Sequence, residues 1–159
     1  TRTPACATVA PIMQPEPARF HSASPDDTAR LAARVARALR GGEVVSLEGD
    51  LGAGKTFFTR ALARELGVAE NVASPTFVLQ RVYHTAAGPV RTIFHYDVYR
   101  LADYDELADL GFEELPPDAV ALVEWGHRFA PHLPPATIRI AFQVTGDTQR
   151  EVTITGLAV

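Results

Sequence analysis

Apolar residues recur every four positions at Leu31, Val35 and Leu39, crowd together at Val44, Val45 and Leu47, and return to four-residue spacing at Phe58, Leu62 and Leu66. The first and third patterns predict amphipathic helices, and the run between them predicts a short buried strand over 43–48. Ser24-Pro25-Asp26-Asp27 supplies a start for the first helix: a serine cap, proline at the first helical position and an acid three residues after the cap. Gly41-Gly42 stops that helix, and Gly67 stands where the second would end. Beyond Val72–Phe77 come two β-rich runs, 78–83 and 90–96, separated by the turn-like stretch 84–89, so the pair predicts a hairpin. Leu101, Tyr104, Leu107 and Leu110 suggest a short helix, Val120–Val123 a buried strand, and the alternations at Ile138, Ile140, Phe142 and at Val152, Ile154 two late strands. The expected fold class is α/β: a mixed β-sheet flanked by helices, with an inserted antiparallel hairpin.

The junction between the early strand and the second helix reads Glu48-Gly49-Asp50-Leu51-Gly52-Ala53-Gly54-Lys55-Thr56. Its spacing is that of the phosphate-binding loop G-x-x-x-x-G-K-[ST], between strand and helix as the pattern requires. Glycines let backbone N–H groups converge on a phosphate, and the following helix aims its unpaired donors and positive dipole end at the same anion. The fold expectation becomes a P-loop NTPase-like one. Of fifteen lysines and arginines, fourteen are arginine, and Lys55 is the only lysine. A compact ammonium fits between phosphate oxygens better than a broad guanidinium does.

Nucleotide phosphates arrive with Mg²⁺, which takes oxygen ligands, typically the hydroxyl of the loop, here Thr56, and a carboxylate at a strand end. Glu124 closes the apolar run AVALVE in the manner of a Walker B acid, and Asp97 closes TIFHYD. Trp125 and Phe77 are explained by core packing about as well as by function. His95 alternates with Asp97 along one strand face, where a lone histidine is more often structural than catalytic.

With 159 residues, the chain has the length of one domain and of a proper core. We expect residues 1–19, which hold four prolines and no apolar periodicity, to be a disordered extension, and 20–159 to be a single domain. No apolar run approaches the ~20 residues of a membrane span, so a soluble protein is expected. The formal net charge of −4 argues against a broad electrostatic footprint for nucleic acid, DNA included, and leaves RNA contact to a local patch or a partner. One cysteine, Cys6, excludes an internal disulfide framework and fits a reducing cytoplasm. Arg30, Arg34, Arg37 and Arg40 read as a solvated helix face, as does the acidic cluster from Asp103 to Glu114.

Beside GDLGAGKT stand Ser74-Pro75-Thr76-Phe77, His95-Tyr96-Asp97-Val98-Tyr99-Arg100 and Glu124-Trp125, in that order. Together they resemble the bacterial TsaE (YjeE) family of ATPases that support formation of threonylcarbamoyladenosine in tRNA. The likeness runs from about Ser24 to the last strands. It implies that Lys55 and the amides of Gly52, Ala53, Gly54, Lys55 and Thr56 hold the β- and γ-phosphates, next to Phe57, with Thr56 and Glu124 on Mg²⁺. It further implies that Thr76 senses the γ-phosphate and that Asp97 orients water or a metal-bound water. Trp125 would lie near the nucleotide, the start of the first helix around Ser24 near the base, and Arg150 would reach the nucleotide from the last hairpin. The implied cofactors are ATP and Mg²⁺. The implied partners are the TsaB- and TsaD-type proteins of the threonylcarbamoyl-transfer complex, with tRNA met indirectly.

Three classes of function compete for a phosphate loop. A GTPase needs a guanine-reading N-K-x-D segment, and with Lys55 the sole lysine there is none. A small-molecule kinase adds an arginine-bearing lid over the transferring phosphate, and no long polar insertion resembles one. The expectation is therefore an ATPase acting as a nucleotide-dependent switch on its partners, with a P-loop small-molecule kinase as the alternative.

Overall fold

Strand β2 (Val44–Glu48) lies at the centre of the sheet, buried at every position but its last. It pairs in parallel with β5 (Ala119–Glu124) on one side and β6 (Ile138–Val144) on the other, and β5 pairs in parallel with β4 (Thr92–Asp97). All six residues of β5 are buried, as a strand covered on both faces must be. Antiparallel strands finish both edges. At one edge β3 (Gln80–His84) joins β4; at the other β7 (Arg150–Thr155) joins β6, and β1 (Ala18–Ser22) joins β7. The order β1-β7-β6-β2-β5-β4-β3 is the expected mixed sheet. This computed structural model describes residues 15–86 and 88–159; the disorder expected of residues 1–14, Cys6 among them, lies outside the described residues.

Helix α1 (Pro25–Ala38) starts where its cap was read: the Ser24 hydroxyl accepts from the Asp27 amide at 3.2 Å. Its stripe of Leu31, Ala32, Val35 and Ala36 is buried, and full burial of Leu31 or Val35 is worth about 1.5–3 kcal/mol each. Helix α2 (Lys55–Glu65) buries Phe58, Leu62 and Ala63. Both helices cover the sheet face that carries Val45, Leu47, Ile93, Leu122 and Ile140. Helix α3 (Tyr104–Asp109) and two 3₁₀ segments, Phe112–Glu114 and Gly126–His132, cover the opposite face over Val44, Tyr96, Ala121 and Val123. No helix among the described residues is long and apolar enough to cross a membrane.

Two expectations need correction. The extension was expected to run to residue 19, yet Ala18 and Arg19 already pair with Ile154 and Thr153 in β1. The hairpin strands begin later than the apolar runs suggested, at Gln80 and Thr92. The amides of Val78 and Leu79 both bond the Pro75 carbonyl, at 3.1 and 2.6 Å, so these two residues close a turn instead of opening a strand. Of the arginines read as solvated, Arg37 pairs with Glu65, Arg30 with Asp27, and Arg34 lies over the Phe20 ring.

Candidate functional site

Between the end of β2 and the start of α2 the chain turns through positive φ at Gly49 (146°), Gly52 (79°) and Gly54 (113°). At Gly49 a Cβ would lie 2.7 Å from the Phe142 carbonyl oxygen, so the strand end itself demands glycine. At Gly52 and Gly54 a Cβ would meet nothing within 4 Å; only the left-handed backbone requires glycine there, and the space beside it is open. Gly54 occupies the cap position of α2 and brings no side-chain acceptor, which leaves the first-turn amides of the helix available to an anion.

Lys55 is buried, and its Nζ donates to the carbonyls of Gly49 (2.6 Å) and Asp50 (2.9 Å). The ammonium sits 3.9 Å from the centroid of the Trp125 ring. Burial lowers its pKa below the ordinary 10.5, against the opposing pull of the charges on Glu124, Asp97 and Asp50.

Asp97 and Glu124 stand level with each other on neighbouring parallel strands, and both are buried. Their partners differ. Glu124 accepts from the Thr56 hydroxyl, at 2.9 Å to Oε1 and 3.2 Å to Oε2, and its Oε1 lies 2.8 Å from His95 Nε2. Asp97 accepts from the Tyr99 amide (2.9 Å), the Thr76 hydroxyl (3.1 Å) and, at 3.5 Å, the Ser74 hydroxyl. Trp125 follows Glu124 with φ of 64°, which turns its half-buried ring toward Lys55 and Tyr99, the latter at 4.8 Å between centroids.

These groups line one cleft of about 330 Å³: Gly52, Gly54, Lys55, Thr56, Phe57, Thr76, Asp97, Glu124 and Trp125, with Leu51 and Ser74 added. Ala53 and Arg150 line a second cleft of about 260 Å³ that shares Gly52, Gly54 and Phe57 with the first and is completed by Pro25, Thr28, Asp147 and Thr148. Arg150 is already engaged: its Nε donates to the Ala53 carbonyl at 2.9 Å and its Nη1 to those of Gly146 and Gln149. Ser24 lines neither cleft; its hydroxyl caps α1, and the neighbouring Pro25 and Thr28 face the second cleft instead. Sequence reasoning pointed to the start of α1 through Ser24 without singling out Pro25 and Thr28, and it missed Asp147 and Thr148, for which only the turn signal at Gly146-Asp147 existed. It quoted Ser74 in a motif without giving it a role.

The donor set consists of hard oxygens. Thr56, Glu124 and Asp97 gather at the cleft floor, while no group of three or more His, Cys, Asp or Glu among the described residues is placed to hold a metal by itself. Such a set suits Mg²⁺, which keeps several waters and takes one or two protein ligands beside a phosphate.

A family model described as "Threonylcarbamoyl adenosine biosynthesis protein TsaE" matches residues 22–152. The chain is 44% identical over 137 residues to the tRNA threonylcarbamoyladenosine biosynthesis protein TsaE of Treponema pallidum, covering 86% of this chain and 98% of that one. It is 39% identical over 140 residues to the protein of the same name from Bacillus subtilis, covering 87% and 85%. The crystal structure of Bacillus subtilis YdiB superposes with a TM-score of 0.71 at 34% identity, over 92% of this chain and 88% of that chain.

Proposed function

This chain belongs to the TsaE family, and on that premise we propose that it binds and slowly hydrolyses Mg²⁺-ATP as a switch within tRNA threonylcarbamoyladenosine biosynthesis. The process is the one for which its relatives are named. The TsaB- and TsaD-type proteins are the proposed partners, and tRNA is reached through them. The observation that carries the nucleotide assignment is the meeting, in one cleft, of a glycine cradle, the sole lysine and two level carboxylates.

In this reading the first-turn amides of α2 and the loop amides bind the phosphates, and Lys55 exchanges its two carbonyl partners for phosphate oxygens. Thr56 and Glu124 hold Mg²⁺, which neutralises charge on the phosphates. Asp97, with its hydroxyl partners Thr76 and Ser74, orients the water that attacks the γ-phosphate. The second cleft, floored by Ala53 and Phe57, receives the adenine side, where its apolar walls favour a flat ring. The output is a conformational change in the partners, since no second-substrate pocket adjoins the carboxylates among the described clefts.

A turnover assay with and without the partner proteins and tRNA, following phosphate release and modified adenosine together, tests this. Stimulation of both by the complete set is expected. Phosphate appearing on an added metabolite would move the protein to the kinases. Glu124→Ala should lower Mg²⁺-dependent turnover on the order of a hundredfold while lowering nucleotide binding less; equal turnover in parent and variant removes Glu124 from the metal site.

A further inference from the structure

His95 occupies a place that packing alone gives to an apolar side chain. It is fully buried in β4, two residues from Ile93 and level with Leu122 on β5, both members of the core beneath α1 and α2. Among the described residues its Nδ1 has no hydrogen-bond partner, and the Tyr83 ring lies 6.5 Å away. Burying an imidazole with one nitrogen unpaired is unfavourable. The ring's single hydrogen bond among the described residues is Nε2 to Glu124 Oε1 at 2.8 Å, with the Thr56 hydroxyl on the same oxygen at 2.9 Å.

We propose that His95 is a positioning residue: its Nε2–H donates to Glu124 Oε1 and fixes the rotamer in which that carboxylate reaches Thr56 and the metal. The inference rests on the metal assignment to Thr56 and Glu124 given above. A carboxylate at the end of a strand has two free side-chain torsions beyond Cβ, and Thr56 alone, on a different element, bonds both of its oxygens without selecting one. A donor from the neighbouring strand, two residue pairs deeper in the sheet, removes that freedom and leaves Oε2 as the freer oxygen. Partners of this kind behind metal ligands typically change metal affinity about 10–100-fold when removed.

The test uses the full chain with His95→Leu, which keeps the apolar packing and drops the donor, and His95→Gln, whose amide nitrogen restores a donor near the Nε2 position. Binding of a fluorescent adenine nucleotide is titrated with Mg²⁺, and the metal midpoint is read separately from affinity in excess chelator. We expect the midpoint of His95→Leu to rise about tenfold or more, that of His95→Gln to return toward the parent, and chelator affinity to stay the same in all three. The shift should shrink in a Glu124→Gln background. An unchanged midpoint in a folded His95→Leu, or a shift of the same size without the Glu124 carboxylate, overturns the proposal. Should His95→Leu fail to fold, His95→Met, apolar and without a donor, takes its place: a midpoint about tenfold higher supports the donor role, and a parent-like midpoint rejects it. A parent protein whose nucleotide binding ignores Mg²⁺ overturns the underlying metal assignment instead, so the two failures are distinguishable.

Discussion

The phosphate loop and the segment Ser74–Leu79 face each other across one cleft and are built in opposite ways. In the loop, Ala53 is fully buried, its amide bonds the Asp50 carbonyl and its carbonyl takes the Arg150 guanidinium. Across the cleft, Phe77 is 83% exposed and Leu79 sits at φ of 65°, a conformation costing a non-glycine residue on the order of 1 kcal/mol. That segment meets Asp97 through two side-chain hydroxyls at its start, Thr76 and Ser74, and through the Leu79 carbonyl at its end, which accepts from the Asp97 amide at 3.1 Å. One wall is fixed before any ligand arrives. The other is held at its start only by side-chain hydroxyls, an asymmetry that the proposed switch would use.

The comparison is broken most severely at Lys55. Lys55→Ala removes the fixed wall's charge and should weaken nucleotide binding by about 2–5 kcal/mol, or roughly 30-fold to several thousandfold, in a calorimetric titration. The same residue gives a pH signature. Because its folded pKa lies below the ordinary 10.5, nucleotide affinity should begin to fall at lower pH than for an exposed lysine. Between the folded and unfolded values the unfolded chain holds more protons, so stability without ligand should rise with pH through that window. Denaturation midpoints across alkaline pH, in the parent and in Lys55→Ala, check the sign; the variant should lack the rise.

Thr76→Ala loosens the tethered wall alone. It should cost about 1 kcal/mol of local stability, seen as faster amide exchange over 74–79 with exchange over 52–56 unchanged. Equal acceleration of both segments would mean that the two walls move as one. Ser24→Ala, on neither wall, should cost about 1 kcal/mol through the lost cap of α1 and lower the melting temperature by roughly 2–4 °C. Nucleotide affinity should be unchanged, and a clear loss would bring Ser24 back to the base.

What the sequence disclosed followed the range of the forces involved. The phosphate loop was legible because positive φ at fixed intervals leaves few residue choices, and Gly49, Gly52 and Gly54 show them directly. Glu124 and Asp97 were legible as acids closing apolar runs, and register brings them level. Strand β1 was not, because its pairing depends on Val152 and Ile154, some 130 residues away, and its own sequence offers little beyond Phe20. Val78 and Leu79 misled for a local reason, since strand-forming side chains were spent on the turn around Pro75. The second cleft is assembled from the start of α1, the phosphate loop and the β6–β7 turn, and no single stretch announces it.

A protein with a single lysine simplifies chemical footprinting. An amine-directed acylating reagent finds one side-chain target, and that target is shielded, engaged by two carbonyls and covered by an indole. Its rate of labelling, read from one peptide mass, therefore reports on a single ammonium, and on the proposed reading it would change as nucleotide fills the cleft, even inside a crowded assembly.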